Sequence, residues 1–217
     1  MNRRTVVSMT AVLAVAAFSG SAVLYGRHRN AEARAAAGGT QLVRPHSPVI
    51  GREDAPVTVV EFFDPSCEAC RAFYPIVKQI LAAHPDDVRV VLRYTPLHEG
   101  SDEAVRILEA ARLQDKFEPV LEALLARQPE WAVHGAPDLG KAWDFAEAAG
   151  LDVAQAKGDA ASPEISEVLR QDVEDMEAAK IERTPTFFVN GKPLTEFGPQ
   201  QLYDLIVSEI PSDGGGS

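Results

Sequence analysis

The stretch VTVVEFFDPSCEAC, residues 57–70, places the two cysteines of this chain directly after an apolar run and directly before a helical pattern. The β-branched and aromatic residues at 57–63 predict a buried strand, and the apolar periodicity after Cys67 predicts a helix. A thiol at a helix N-terminus suits redox chemistry, because the unpaired N–H groups and partial positive charge there favour a thiolate. Cys67 and Cys70 are therefore predicted to form a redox-active pair.

Two other interpretations of the cysteine pair are two buried thiols and half of a metal site. A four-ligand zinc site needs two further ligands at close spacing. The chain has no third cysteine, and its five histidines are scattered along the sequence without paired spacing. We therefore expect no metal site.

A carboxylate stands inside the predicted strand. Burial penalises an ionised group, so Glu61 needs a partner or a chemical role there, unless it is a strand-edge glutamate that faces water. After the helix, residues 88–94 predict a second strand. The resulting strand, helix, strand unit favours a parallel pair with a right-handed crossover.

A helical block follows, from about residue 101 to 179, and Ser101 is expected to cap its first helix. Residues 184–194 predict a hairpin around Asn190-Gly191, since Asn-Gly between apolar runs is typical of a type I′ turn. Residues 200–210 predict a last amphipathic helix. The predicted order is β-α-β, helical block, β-β-α, which is an α/β fold.

The N-terminus predicts export. Residues 1–29 contain four arginines and no acidic residue, and the 22 residues from Thr5 to Gly26 are uncharged and mostly apolar. A positive segment before an apolar run is typical of a signal peptide, but this run is also long enough to span a bilayer. A cleaved signal and an uncleaved membrane anchor therefore both stay open. Residues 30–46 are expected to be a linker and 211–217 a flexible tail.

The rest of the chain is acidic. It holds 17 of the 21 basic residues and all 32 acidic ones. Nucleic acid is bound through lysine and arginine on its phosphates, so this surface does not suit a nucleic-acid partner. An exported location would allow a disulfide to persist.

Four motifs, in this order, resemble the DsbA-type thiol:disulfide oxidoreductases of the thioredoxin superfamily. They are Glu-Phe-Phe-x-x-x-Cys-x-x-Cys at 61–70, Pro75 in the helix, Pro96-Leu97-His98 before an alanine-rich helix, and Thr184-Pro185-Thr186-Phe187. The resemblance covers about residues 47–210. It implies a thioredoxin fold whose βαβ and ββα halves are separated by an inserted helical domain at about 101–179.

The resemblance also implies a role for each site residue. Cys67 would be the nucleophilic, more exposed cysteine and Cys70 its partly buried partner, with Glu61 assisting proton transfer to and from the buried thiol. Pro185 would be cis beside the disulfide, and the backbone of Thr184 would pair with an extended client peptide. From the residues alone, a trans proline at the start of an edge strand is favoured at position 185, and the resemblance reverses this.

The activity implied is disulfide exchange with client proteins outside the cytoplasm, chiefly as an oxidase and without a cofactor. An isomerase or reductase of the same fold is one alternative, and a non-enzymatic chaperone or Cu(I)-binding protein is another. Glu68 and Ala69 separate the cysteines, and a carboxylate beside Cys67 disfavours a second negative charge. We therefore expect a weaker oxidant than DsbA. The expected partners are client thiols or disulfides and a membrane redox protein.

Overall fold

The structure is a computed structural model that describes residues 42–211, which form a five-stranded sheet in the order β1-β3-β2-β4-β5 together with eight helices. The strands are β1 (Val49–Gly51), β2 (Val57–Phe63), β3 (Val88–Tyr94), β4 (Thr186–Val189) and β5 (Lys192–Pro193). The helices are α1 (Glu68–Ala83), α2 (Ser101–Arg112), α3 (Phe117–Ala126), α4 (Gln128–Trp131), α5 (Leu139–Ala148), α6 (Val153–Ala160), α7 (Pro163–Ala178) and α8 (Pro199–Glu209).

The centre of the sheet confirms the predicted strand, helix, strand unit. β2 and β3 are parallel neighbours connected through α1, and β4 runs antiparallel along the other side of β2. In this register Glu61 stands between Leu92 of β3 and Phe187 of β4. The short edge strand β1, antiparallel to β3, was not predicted, because three residues are too few to show a period.

The two faces of the sheet carry separate apolar cores, since successive side chains of a strand point to opposite faces. Val59 and Phe63 of β2 belong to the larger core, which includes residues of α1 and of the helices that follow β3. Val60 and Phe62 belong to a smaller core on the other face. By the same alternation, Glu61 points to the face that α1 covers.

Helix α1 begins directly after the turn at residues 64–66. The carboxylate of Asp64 accepts the backbone N–H of Ser66 at 2.8 Å, a local bond that ends β2 and starts the helix. The buried face of α1 consists of Cys70, Phe73, Val77, Ile80 and Leu81. Pro75 lies inside the helix, as the sequence predicts.

The helical segment between β3 and β4 runs from α2 to α7, where the helical block was predicted. One prediction within it is wrong, because Gly100, at φ +79°, occupies the cap position and Ser101 is the first helical residue. The Ser101 hydroxyl instead donates to Asp64 Oδ1 at 2.6 Å. A hydrogen bond to a carboxylate is stronger than the bond that a capping hydroxyl makes to a backbone N–H. The predicted domain boundaries stay predictions.

The hairpin and the last helix are close to their predicted positions. Asn190 and Gly191 both have positive φ, 46° and 77°, as a type I′ turn requires. α8 begins one residue earlier than expected, at Pro199, whose ring suits the first turn of a helix.

A buried ionic cluster fastens the segment before β1 to the rest of the domain. Arg93 of β3 is fully buried and donates to Asp172 at 2.9 Å and to Asp175 at 2.6 Å, both on α7. Arg44 also pairs with Asp175, and His46 lies 2.8 Å from Asp172. The cluster therefore connects three segments that are far apart in the sequence.

The predicted signal or anchor at residues 1–29, most of the linker and nearly all of the tail lie outside the described residues. Between residues 42 and 211, no helix has the length and hydropathy needed to cross a membrane.

Candidate active site

Cys67 stands at the N-terminus of α1, as predicted. It occupies the cap position with extended backbone angles, and its N–H donates to the carbonyl of Asp64 at 3.1 Å. Both cysteines are free thiols; Cys67 is 6% exposed and Cys70 is fully buried. Of the two, only Cys67 has surface that a client sulfur can reach.

The surroundings of Cys67 favour its thiolate. The Cys70 thiol hydrogen bond contributes most to lowering the pKa of Cys67 to about 5, although burial opposes the charge. The Thr184 side chain and the backbone N–H groups of Cys70 and Ala69 lower the pKa further. These N–H groups belong to the first turn of α1, where a helix has no acceptors of its own for them. Cys67 is therefore ionised at neutral pH.

Thr184 contacts Cys67 from the loop before β4, and its bond to Pro185 is cis. Its carbonyl accepts the Cys67 thiol at 3.3 Å. Its buried hydroxyl has no other hydrogen-bond partner within residues 42–211, so it is available to donate to the sulfur once the proton has left. Thr184 thus has a suitable group for each protonation state of Cys67.

Cys70 has the opposite electrostatic environment. Burial, the hydrogen bond with Cys67 and the negative charges of Glu61 and Cys67 all raise the pKa of Cys70 far above its ordinary value. The second thiol therefore keeps its proton where the first has lost it. An asymmetric pair of this kind can attack with one sulfur and protonate the other.

Glu61 is 2% exposed, which rules out a strand-edge glutamate that faces water. Burial, and then the negative charge of Cys67, raise the pKa of Glu61 to about 8. Its Oε1 atom has no hydrogen-bond partner among the described residues. Near neutral pH the side chain therefore holds a proton on the face of the sheet that α1 covers.

Replacing Glu61 with glutamine should change how stability depends on pH. In the wild type the pKa of Glu61 is raised from 4.5 to about 8 by folding, so its contribution is complete below pH 4.5 and is lost as pH rises to about 8. Glu61→Gln should remove this decrease in the free energy of unfolding, which is at most about 1.4 kcal/mol per pH unit. Urea unfolding of the reduced protein at pH 5 and pH 8 measures the difference. Exposed Glu147→Gln is the control, and equal pH slopes for the three proteins would contradict the prediction.

Two buried polar residues that were not predicted as site residues hold the turn before Cys67. Asp64 supports the turn from within, and Gln128 of α4 donates to the carbonyls of Pro65 at 2.8 Å and Cys67 at 3.0 Å. Gln128 is 61 residues from Cys67 in the sequence, and no local pattern marks it. The helical insertion thus supports the active-site turn directly.

Glu68, one of the two residues between the cysteines, faces solvent. Its side chain is 67% exposed and lies 3.5 Å from His134 Nε2, and the His134 ring is 5.6 Å from that of His98. The fold therefore brings two histidines that are 36 positions apart in the sequence to the same side of Cys67. Ala69 contributes a backbone N–H, and the tuning role of residues 68 and 69 stays a prediction.

Comparisons with known proteins agree with this geometry. A family model described as Thioredoxin matches residues 44–206. A thioredoxin-like oxidoreductase from Silicibacter pomeroyi DSS-3 superposes with a TM-score of 0.66 at 32% identity, over 77% of this chain and 93% of that one. Oxidised BdbD from Bacillus subtilis superposes with a TM-score of 0.67 at 27% identity, over 76% and 92%.

A curated relative is longer than this chain. The Na(+)/H(+) antiporter NhaA 1 of Mycolicibacterium gilvum (strain PYR-GCK) is 35% identical over 179 residues, which are 77% of this chain and 27% of the relative. The chain thus spans about a quarter of the length of that relative. The family model, the sheet order and the cysteine pair at the start of α1 agree, and the chain belongs to the thioredoxin superfamily.

Proposed function

We propose that this chain is an exported thiol:disulfide oxidoreductase that exchanges disulfides with client proteins, chiefly as an oxidase. The observation that carries the proposal is the asymmetric geometry of the cysteine pair: Cys67 is 6% exposed at the N-terminus of α1, beside Thr184, and Cys70 is fully buried. This geometry lowers the pKa of Cys67 to about 5 and raises that of Cys70. A purely structural pair of buried thiols has no need of this asymmetry. Exchange needs it, because the thiolate is the reactive form.

In the oxidising direction, a client thiolate attacks Cys67 Sγ of the Cys67–Cys70 disulfide. The S–S bond breaks, a mixed disulfide forms, and Cys70 leaves with the electron pair. Glu61, neutral at pH 7, gives its proton to the Cys70 sulfur and recovers one later from solvent. A second client thiolate then attacks the client sulfur of the mixed disulfide and releases Cys67 as a thiolate. The client has lost two electrons to the protein.

The direction follows from the stability of the reduced form. Because the pKa of Cys67 is lowered from 9.0 to about 5, ionisation stabilises the reduced protein fully above pH 9, and this stabilisation is lost as pH falls through about 5. At neutral pH a large part of it is present. A stabilised reduced form makes the disulfide a good oxidant.

Replacing Cys70 with alanine should trap clients on Cys67, because the mixed disulfide then has no resolving thiol within the protein. We expect client proteins to be recovered as reducible adducts from the extracytoplasmic fraction, where residues 1–29 are proposed to direct the domain. Non-reducing electrophoresis and mass spectrometry measure the adducts.

The matched control for this experiment is the double variant Cys67→Ala/Cys70→Ala, which should capture nothing. Equal capture by the double variant would contradict the roles of the cysteines. Absence of adducts from the extracytoplasmic fraction, with adducts only inside the cell, would contradict export. No adducts anywhere would contradict the enzyme proposal itself.

A further inference from the structure

The buried carboxylate of Asp64 is surrounded by hydrogen-bond donors. Its Oδ1 accepts the N–H of Ser66 at 2.8 Å and the hydroxyl of Ser101 at 2.6 Å. Its Oδ2 accepts the N–H groups of Leu97 at 2.8 Å and of His98 at 3.1 Å. Both oxygens of Asp64 therefore act as hydrogen-bond acceptors, and the residue has no exposed surface.

A buried acidic side chain is stabilised by a basic partner. Within residues 42–211 the ion pair of Asp64 is with His98, whose Nδ1 lies 2.7 Å from Oδ2. Because both Asp64 oxygens act as acceptors, Nδ1 carries the hydrogen and donates it. Partial burial opposes a charge on the ring, but the hydrogen bond and charge of Asp64, with the charges of Cys67 and Glu68, raise the pKa of His98.

His98 lies beside the turn that precedes Cys67, because its backbone N–H and its ring both contact Asp64. Together with Ser66 and His134 it lines a cavity of about 220 Å³. Asp64 connects the start of α1 to His98. Its carbonyl accepts the N–H of Cys67, and its carboxylate binds the His98 ring. The charged and titratable groups that face the His98 ring are Asp64, Cys67, Glu68 and His134.

The two residues between the cysteines, Glu68 and Ala69, supply no cation. We propose that Asp64 and His98 are a positioning pair that supplies it from outside this segment: Asp64 holds the turn and the imidazolium together, and the imidazolium stabilises the Cys67 thiolate. This inference rests on the proposed redox function of Cys67. It assigns His98, in the loop between β3 and α2, the electrostatic role that a basic residue between the cysteines would otherwise have.

The test compares wild type with His98→Gln, whose amide keeps a hydrogen-bond donor for Asp64 without the charge. We expect the pKa of the Cys67 thiol, followed by thiolate absorbance, to rise by about 1 unit. At pH 7 the equilibrium with glutathione should shift about tenfold toward the oxidised protein, which is about 30 mV. His98→Lys, which restores a cation, should recover part of the shift.

The matched control is His134→Gln, which removes an imidazole from the same surface without touching Asp64. It should leave both quantities close to wild type. The inference would be overturned if His98→Gln left the pKa of the Cys67 thiol and the glutathione equilibrium unchanged, or if His134→Gln shifted them equally. A wild type that forms no reversible disulfide with glutathione would overturn the proposed function and this inference with it, so the two failures are distinguishable.

A measurement on the wild type keeps the test independent of folding in the variants. By NMR, the pKa of His98 should be higher in the reduced protein, where Cys67 is a thiolate, than in the disulfide form, where that charge is absent. Equal His98 pKa values in the two redox forms would overturn the inference.

Discussion

Replacing Cys67 with serine should abolish disulfide exchange, leaving the rate at which buffer alone oxidises a reduced client. A serine hydroxyl forms no disulfide and is not ionised near neutral pH, so neither step of the exchange can begin. Refolding of a reduced, unfolded model protein with the oxidised enzyme measures the loss. At pH 7 the variant should unfold at a lower temperature than the reduced wild type, because a serine hydroxyl cannot supply the stabilisation that the ionised Cys67 thiol gives the folded protein.

Cys70→Ser is the informative comparison for this prediction. It retains the thiolate of Cys67, so it should still form mixed disulfides while failing to complete a cycle. Cys67→Ser should do neither. If Cys67→Ser retained exchange and Cys70→Ser lost it, Cys70 would be the attacking sulfur and the assignment of the two cysteines would be reversed.

Replacing Asp172 with alanine should lower the free energy of unfolding by about 3 kcal/mol, because two buried donors, Arg93 Nε and the N–H of Tyr94, lose this acceptor, while Arg93 keeps its ion pair with Asp175. Asp172 is fully buried and accepts Arg93 Nε at 3.0 Å and the N–H of Tyr94 at 2.8 Å. His46 Nε2 lies 2.8 Å from the same carboxylate, so the segment before β1 should loosen as well. Urea denaturation of the reduced protein measures the change.

Glu174→Ala is the matched control on the same helix. Its carboxylate pairs with Arg170 at the surface, and both side chains are more than half exposed. Solvent screens such pairs, so this variant should unfold almost as the wild type does. An Asp172→Ala variant as stable as Glu174→Ala would show that the buried cluster does not hold the fold. Below its melting temperature Asp172→Ala should still exchange disulfides, since the cluster lies on the sheet face opposite α1.

Much of the fold could be predicted because it depends on patterns of residues that are close together in the sequence. The apolar run at 57–63, the helical face after Cys67 and Asn190-Gly191 each involve residues close together in the sequence. Their side-chain periods and turn conformations are dictated by local backbone geometry. The prediction that Ser101 caps a helix was wrong because its contact is with a residue far away in the sequence. A carboxylate 37 residues away in the sequence accepts the Ser101 hydroxyl.

The residues of the candidate site also differ in how far the sequence marks them. Cys67, Cys70 and Glu61 stand out in the sequence because a thiol pair and a carboxylate interrupt apolar patterns. Gln128 does not stand out, since an isolated glutamine is ordinary, and His98 stands out only as part of a motif that gives it no role. Their importance comes from contacts with Cys67 and Asp64 across 61 and 34 residues of sequence.

By itself, the sequence determined which atoms we propose for the chemistry and where they stand: two sulfurs at the start of a helix that follows a buried strand. The tertiary structure decided how differently the two sulfurs behave. A pKa depends on burial and on the charges and dipoles within a few ångströms, and here those come from Thr184, Glu61 and the first turn of α1. Only folding brings these groups together, so only the folded chain makes one thiol a thiolate and keeps the other protonated.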